Sequence, residues 1–234
     1  MTYHEILDHL NCLSDPKRAA SAKRYFKTAE GEYGFGDRFL GIRVPVIRQA
    51  VKIFHTVPLN DVEKLLKSEY HEVRLIALLL LVDRFTRGNV QDQDAVYHLY
   101  LNNTRYINNW DLVDSSAPYI VGAYLDSSGR SVLYDLSKSK TLWERRIAIM
   151  STFYFIKKNQ FDDALHIAEL LLGDQEDLIQ KAVGWMLREV GKRDLAVEVA
   201  FLKEHYQNMP RTMLRYAIEK FSIQERLKFL HGEV

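Results

Sequence analysis

The chain has 234 residues, with 32 lysines and arginines against 31 aspartates and glutamates and a formal net charge of +1. This balance excludes a histone-like polycation and a protein with an acidic tail, although it leaves room for a local nucleic-acid surface. Cys12 is the single cysteine, which excludes a disulfide framework and a cysteine-based zinc site and is compatible with a reducing compartment.

Composition and length indicate a folded globular protein. Hydrophobic residues make up 47% of the chain and charged residues 27%, which is ordinary for a globular domain. A chain of this size forms one domain or two tightly packed halves and buries roughly 70% of its unfolded surface. The amino terminus lacks an apolar stretch of signal-peptide length, and the longest apolar run, residues 76–82, is too short to span a membrane. We therefore expect a cytoplasmic protein with no membrane partner and a buried helix at residues 76–82.

Helix-boundary signals recur along the whole chain. Prolines suited to a helix start occur at Asp15-Pro16, Val44-Pro45 and Met209-Pro210. Glycines follow apolar periodic stretches at Gly88, Gly173 and Gly191, where a left-handed residue at a helix end is expected. No run alternates apolar and polar residues as a half-buried strand does. The predicted fold class is all-α, with about a dozen helices.

The segment from Thr28 to Val44 departs from this helical pattern. It contains four of the eleven glycines: Gly31, Gly34, Gly36 and Gly41. A glycine-rich loop can bind phosphate, but this one lacks the Gly-Lys-Ser/Thr ending of a nucleotide-binding loop and follows no predicted strand. The segment is predicted to be a plain connection.

A basic-then-apolar pattern repeats along the helices. It begins at Arg74, Arg146, Lys181 and Arg215, at intervals of 72, 35 and 34 residues, and Trp110 occupies the place halfway through the long interval. Such periods indicate stacked helix pairs of the HEAT and armadillo class. We predict one repeat domain over residues 1–234, in which amino-terminal helices in residues 1–57 cap five pairs from about residue 58 onward. The expected architecture is a right-handed superhelix with one concave face.

Polar and aromatic residues recur in the register of this repeat. If the second helix of each pair lines the concave face, the register positions and those four residues later share one groove. These residues are Arg74, Trp110, Asp114, Arg146, Met150, Lys181, Trp185, Arg215 and Glu219.

Charge is segregated along the carboxy-terminal half. Residues 138–158 carry six basic side chains against one acidic, whereas residues 161–177 carry six acidic side chains and neither lysine nor arginine. In a two-layer solenoid this alternation makes one face basic and the other acidic. A net charge near zero is then compatible with a surface for a polyanion.

A structural interpretation of the register residues remains open. In helical repeats an aspartate and an arginine on successive inner helices often form a ladder of ion pairs, which is one reading of Asp114 and Arg146. A tryptophan on a helix is more often part of the core than a ligand platform. The joint placement of these residues in one register favours a functional role.

Four segments carry a family resemblance. They are YFKTAEGEYGFGDRFLGIRVP, NNWDLVDSSAPYI, LWERRIAI and KAVGWMLREVGKRD. In this order the chain resembles the DNA alkylation repair family of the AlkD type, the HEAT-like alkylpurine DNA glycosylases, from about Tyr25 to Phe221. The resemblance implies removal of N3- and N7-alkylated purines from duplex DNA, without a metal or organic cofactor and without flipping of the damaged base.

The resemblance also implies a set of site residues. The catalytic aspartate of the family corresponds to Asp114, and its helix-borne arginine to Arg146. The two tryptophans of the cleft correspond to Trp110 and Trp185, and an amino-terminal tyrosine to Tyr25.

The chemistry of the lesion explains why so small a set is sufficient. A cationic purine leaves without a proton from the enzyme, so one carboxylate, Asp114, is enough to stabilise the developing sugar cation and to place the attacking water. Arg146 would keep this carboxylate ionised and bind the neighbouring phosphate. The tryptophans would favour a cationic base by about 0.5–2 kcal/mol per contact.

Phosphate contacts are expected from the basic residues of the carboxy-terminal half. Together with Tyr25, the candidates are Lys138, Lys140, Arg145, Lys157, Lys158, Lys181, Arg188, Lys192, Arg193, Arg211 and Arg215. The expected partner is alkylated duplex DNA, bound by a monomer with salt-sensitive affinity. Two alternatives stay open: a non-catalytic module that binds distorted or branched DNA, and a scaffold that receives a peptide in its groove.

Overall fold

The computed structural model describes all residues from 1 to 234. It contains fifteen α-helices joined by turns, three short 3₁₀ or π-helical segments and no β-strand. The only extended pairing is an isolated parallel bridge between Arg38 and Tyr70. The prediction of an all-α fold is confirmed. No helix is both long enough and apolar enough to cross a membrane.

The chain divides into two compact units, Met1–Ile120 and Val121–Val234. Seven helices belong to the first unit: α1 Tyr3–Cys12, α2 Pro16–Tyr25, α3 Val44–Phe54, α4 Leu59–Leu66, α5 His71–Arg87, α6 Val90–Asn102 and α7 Trp110–Asp114. A π-helical turn, Pro118–Gly122, carries the chain from the first unit into the second.

Eight helices belong to the second unit. They are α8 Ser131–Ser137, α9 Leu142–Ser151, α10 Phe153–Ile156, α11 Asp162–Leu170, α12 Asp177–Gly191, α13 Leu195–His205, α14 Arg211–Ala217 and α15 Ile223–His231.

The predicted helix starts are confirmed at the three prolines. Asp15 caps α2, because its Oδ1 accepts hydrogen bonds from the backbone N–H groups of Lys17 and Arg18 at 3.0 and 3.1 Å. Helix α3 begins at Val44, directly before a proline, and α14 begins directly after Pro210.

The predicted conformation of three glycines is wrong. Gly88, Gly173 and Gly191 do lie at or just after the ends of α5, α11 and α12, but none of them is left-handed. The left-handed glycines are Gly31, Gly36, Gly41 and Gly232. At Gly88 and Gly191 the reason for glycine is space. A Cβ at Gly88 would lie 2.5 Å from the Cβ of Asp92, and one at Gly191 would overlap the carboxyl group of Glu198.

Helix α5 forms the centre of the first unit and packs against α3, α4, α6 and α7. The apolar run predicted to be a buried helix lies within it, and residues 76–81 are all 6% exposed or less. That prediction is confirmed. Burial on every side means that α5 orients the side chains at its amino-terminal end, His71, Glu72 and Arg74, against a rigid core.

Helix α12 has the same central position in the second unit, where it packs against α9, α11, α13 and α14. The predicted register agrees with the helix positions here, because Arg146, Lys181 and Arg215 are each the fifth residue of their helices. In α7 the fifth residue is Asp114 and not Trp110. The aspartate therefore occupies in its helix the position that the basic residues occupy in theirs.

Candidate active site

Helix α7 carries two of the predicted catalytic residues, Trp110 at its start and Asp114 at its end. Asn109 caps the helix through a 2.9 Å hydrogen bond from the Trp110 N–H to its side-chain oxygen. Leu112 and Val113 are fully buried, whereas Trp110 and Asp114 are half-buried. Since the apolar pair holds the helix against the core, the indole and the carboxylate are left partly open to solvent.

Two aromatic side chains at the end of α2 contact Trp110. The ring of Phe26 stacks on the indole at 5.5 Å with an interplanar angle of 26°. Tyr25 contacts the same indole edge-on at 5.9 Å and is 65% exposed. The structure thus brings the predicted residues Tyr25 and Trp110 together, with Phe26 as a further aromatic neighbour that we did not predict.

The glycine-rich segment is a packed connection and not a free loop. A Cβ at Gly34 would overlap the carbonyl oxygen of Phe26, and one at Gly41 would overlap the carbonyl oxygen of Asp15. Gly41 also has a φ of +82°, which favours glycine. These close approaches fix the segment against α2.

Backbone N–H groups of this segment are already bound by a carboxylate. Glu72 on α5 accepts hydrogen bonds from Leu40 and Gly41 at 2.9 and 2.7 Å and from Ile42 at 3.3 Å. A phosphate would need the same donors. The glycine-rich segment is therefore a connection, as predicted, and the side chain of Glu72 anchors it.

Asp37, in the middle of the segment, is a buried acceptor for four side chains. Arg74 donates to its Oδ1 at 2.7 Å and His71 to its Oδ2 at 3.3 Å, while the amides of Asn108 and Asn109 approach at 3.3 and 3.4 Å. Burial alone would raise the pKa of Asp37, but the hydrogen bond from His71 and the charge of Arg74 outweigh it and lower the pKa below its ordinary value.

His71 joins this cluster to α7. Its Nε2 lies 2.8 Å from Oδ2 of Asp111, the residue after Trp110. Burial alone would lower the pKa of His71, but the hydrogen bonds to Asp111 and Asp37 outweigh it and raise the pKa to about 9. His71, flanked by two carboxylates, is therefore an imidazolium at neutral pH.

Arg74 does not line a groove as the repeat register predicted. It is 4% exposed, and besides Asp37 its guanidinium donates to the carbonyl oxygen of Ser68 at 2.9 Å. The reason is the buried carboxylate of Asp37, which draws the guanidinium into the interior of the first unit.

In the second unit Arg146 is 5% exposed and donates to the carbonyl oxygen of Leu178, which ties α9 to α12. Trp185 on α12 is half-buried, and its Nε1 donates to Oε1 of Glu189 at 3.2 Å. Phe153 lies 6.5 Å from the indole, centroid to centroid. The arginine is thus largely interior, whereas the tryptophan side chain stays partly accessible.

Glu189 fixes the orientation of Trp185 and binds two cations as well. Lys192 contacts its carboxylate at 2.6 Å and Arg193 at 3.3 Å. Burial alone would raise the pKa of Glu189, but the hydrogen bond and charge of Lys192 lower the pKa below its ordinary value.

Many of the predicted phosphate-binding cations are paired with acidic residues or with backbone carbonyls. The pairs are Arg145 with Asp174, Lys158 with Asp126, Lys181 with Asp177, Arg188 with Glu219, Lys192 and Arg193 with Glu189, and Arg211 with the Leu230 carbonyl. Lys157 lies 5.0 Å from the ring of Phe153. Lys138, Lys140 and Arg215 are exposed and make no ion pair, which makes them the best-placed candidates for phosphate.

The charge segregation along the sequence corresponds in part to ion pairs between segments that are distant in the chain. Arg145 of the basic stretch meets Asp174 of the acidic stretch at 2.6 Å, and Arg130 meets Asp163 at the same distance. The basic and acidic stretches therefore neutralise part of each other's charge. Two opposed faces of opposite sign stay a prediction.

Comparison with known proteins confirms the family resemblance. A family model described as "DNA alkylation repair enzyme" matches residues 6–221. No curated protein matches the chain. A solved structure described as "Predicted DNA alkylation repair enzyme from Enterococcus faecalis" superposes with a TM-score of 0.69 at 21% identity, covering 90% of this chain and 97% of that one. At this identity the structural likeness shows a shared fold.

The family model covers nearly the whole chain, including both tryptophans, the aspartate and the arginine singled out above. This extent supports a role in DNA repair. The protein is a member of the DNA alkylation repair enzyme family.

Proposed function

We propose that the protein is a DNA glycosylase that hydrolyses the N-glycosidic bond of N3- and N7-alkylated purines in duplex DNA, without flipping the damaged base. The observation that carries the proposal is the pair of Trp110 and Asp114 at the two ends of α7, both partly open to solvent in a chain of this family. A helix anchored by buried residues holds a carboxylate and an indole in fixed positions, as catalysis by preorganised groups requires.

The proposed reaction needs one carboxylate. The bond between C1′ of the deoxyribose and the purine nitrogen breaks, and the bond electrons neutralise the cationic base as it leaves. Water adds to C1′ and loses a proton. Asp114 stabilises the oxocarbenium-like sugar and orients the water, while no acid is required for the leaving group.

The aromatic group around Trp110 supplies selectivity in this proposal. A cationic purine near the indole gains about 0.5–2 kcal/mol from a cation–π contact. Tyr25, exposed and in edge contact with Trp110, extends the aromatic surface. Phe26 stacks on the indole and limits its rotation.

Trp185 and Arg146, both in the second unit, are the other residues to which the family resemblance assigns a role. Glu189 holds the indole of Trp185 by a hydrogen bond, so this second aromatic surface is fixed in orientation. Arg146 is largely interior, which favours a positioning role for its guanidinium over direct contact with phosphate. Lys138, Lys140 and Arg215 supply phosphate contacts.

The test is release of 7-methylguanine or 3-methyladenine from methylated duplex DNA by the wild type and by Asp114→Asn. We expect the variant to lose a factor of about 10² or more, because it loses the charge that stabilises the sugar cation. Asp8→Asn, an exposed substitution on α1, is the matched control and is expected to retain full release.

Equal release by the wild type and Asp114→Asn would remove the catalytic assignment. Salt-dependent duplex binding without release of any base would support the non-catalytic DNA-binding alternative. Absence of duplex binding at low salt would favour the scaffold that receives a peptide.

A further inference from the structure

We infer that His71 is a positioning residue for the helix that carries Trp110 and Asp114. Its imidazolium ties the glycine-rich segment to the start of α7, and loss of its proton releases one of the two ties. The inference rests on the proposed function insofar as α7 is the catalytic helix. Its structural part is independent of that function.

The two hydrogen bonds of His71 require both ring nitrogens to carry a proton. Nδ1 lies 3.3 Å from Oδ2 of Asp37, and Nε2 lies 2.8 Å from Oδ2 of Asp111. Ionised carboxylates only accept hydrogen bonds, and a neutral imidazole has a single N–H. Deprotonation therefore leaves one of the two carboxylates facing a nitrogen lone pair.

Little of the His71 side chain is open to solvent, and two aromatic rings cover it. The side chain is 2% exposed, and its ring stacks against Phe39 at 4.9 Å and lies 4.7 Å from Phe26. Oδ1 of Asp111 is already shielded from solvent and has no hydrogen-bond partner. Since a buried acceptor without a donor costs about 1–3 kcal/mol, Asp111 depends on the His71 donor.

Other charged groups face His71 from each neighbouring element. The positive charge of Arg74 on α5 lowers the pKa of His71, while the hydrogen bonds to Asp111 and Asp37 raise it. Glu72, also on α5, is engaged by backbone N–H groups. A cavity of about 150 Å³ lies beside His71. Arg18 of α2 and Arg43, directly before α3, also line it. The two hydrogen-bonded carboxylates dominate, and the pKa of His71 is raised to about 9.

His71 is linked to Trp110 by two short routes. The first is covalent, because Asp111 follows Trp110 in the chain and binds His71 in the first turn of α7. The second passes through Phe26, whose ring lies 4.7 Å from His71 and 5.5 Å from Trp110. A change in the protonation of His71 therefore affects both the backbone at Trp110 and the ring of Phe26 that packs on its indole.

The structural part of the inference is tested by titration of the free protein. The imidazole of His71 is followed by NMR, and the fluorescence of Trp110 is followed in a Trp143→Phe/Trp185→Phe background, which leaves one tryptophan. We expect both signals to change together at a pH of about 9. Asp37→Asn should shift both to lower pH by at least about one unit, since an opposite charge at this distance favours the charged form.

The functional part is tested by the pH dependence of single-turnover base release. We expect the alkaline limb of release to move with the His71 titration in Asp37→Asn. It should stay in place in Asp92→Asn, which removes a carboxylate paired with Arg84 elsewhere in the first unit. Asp111→Asn is the second variant, and should one of the two fail to fold, the other decides the test.

Titration of His71 near its ordinary pKa of 6.5, or a fluorescence signal of Trp110 that ignores this titration, would overturn the inference. An alkaline limb that keeps its position in both carboxylate variants would overturn its functional part. If the wild type releases no base at all, the proposed function fails, and the titrations still decide whether His71 positions α7.

Discussion

Gly184 lies in direct contact with the backbone of Met213, at the place where α12 crosses α14. A Cβ at Gly184 would overlap the carbonyl oxygen of Met213 and lie 2.6 Å from the Cβ of Tyr216. Real Cβ atoms essentially never approach neighbours that closely. Only glycine permits this packing, and the next residue is Trp185, so the contact also sets where that indole lies.

We therefore expect Gly184→Ala to lower the free energy of unfolding by about 1–3 kcal/mol, the usual cost of overpacking. Equilibrium unfolding in urea measures the loss. Gly173→Ala is the matched control in the same unit, because a Cβ there meets nothing within 4 Å. An equal effect of the two substitutions would show that the close helix contact is not what requires glycine at position 184.

A second prediction concerns the anchor of the glycine-rich segment. Glu72→Gln replaces one carboxylate oxygen by an NH2 group, which then faces either the N–H of Leu40 at Oε2 or the N–H groups of Gly41 and Ile42 at Oε1. We expect a loss of about 1.5–3 kcal/mol in unfolding free energy, because the bonds are to a charged acceptor. Amide hydrogen exchange at Leu40 and Gly41 should be faster in the variant.

Glu69→Gln is the control for this substitution. Its carboxylate pairs with Arg38 on the surface, with both side chains 58% exposed, so a change of about 0–1 kcal/mol is expected. Unchanged exchange at Leu40 and Gly41 in Glu72→Gln would contradict the role of Glu72 as the anchor.

Local signals predicted the fold class and several helix boundaries, because these depend on neighbouring residues. The Asp15-Pro16 pair shows this, since the cap bonds of Asp15 reach residues two and three positions away. Apolar periodicity likewise predicted the buried centre of α5. The repeat register singled out Trp110 and Asp114 among other positions, but their catalytic role came from the family resemblance.

The cluster around His71 had no local signal. Asp37 and Asp111 lie 34 and 40 positions from His71 in the chain, and none of the three belongs to a periodic pattern that would place them together. The same limit applies to charge. Counting charges along the sequence identifies Arg145 as a basic residue. Its partner Asp174 is 29 residues away, so only the folded chain shows that Arg145 is already paired.

A third prediction concerns Glu198 in the second unit. This side chain is 2% exposed, and its Oε1 has no hydrogen-bond partner. Burial raises the pKa of Glu198 to about 8 against an ordinary value of 4.5, and the charge of Arg188 only partly opposes this. The folded state thus favours the protonated form. Its contribution to stability is complete below pH 4.5 and is lost as the pH rises through 8.

Because glutamine cannot ionise, we expect Glu198→Gln to match the wild type near pH 4.5 and to be more stable above pH 8. The difference should amount to several kcal/mol, on the scale of about 1.4 kcal/mol per unit of pKa shift. Thermal unfolding at both pH values measures it. Glu204→Gln, at an exposed site, should follow the wild type at both, and the same behaviour of Glu198→Gln would refute the buried-acid assignment.

The last prediction distinguishes paired from unpaired cations in duplex binding. Lys138 is exposed and makes no ion pair, whereas Lys192 is held 2.6 Å from the carboxylate of Glu189. A lysine bound to phosphate releases counterions, so the slope of log K against log salt should fall by about 0.9 in Lys138→Gln. Lys192→Gln should leave that slope nearly unchanged, because its charge is already compensated. Binding of an unmodified duplex, measured between about 50 and 200 mM salt, compares the two variants. A larger change in Lys192→Gln would mean that DNA displaces the internal pair, and that exposure alone does not identify the phosphate contacts.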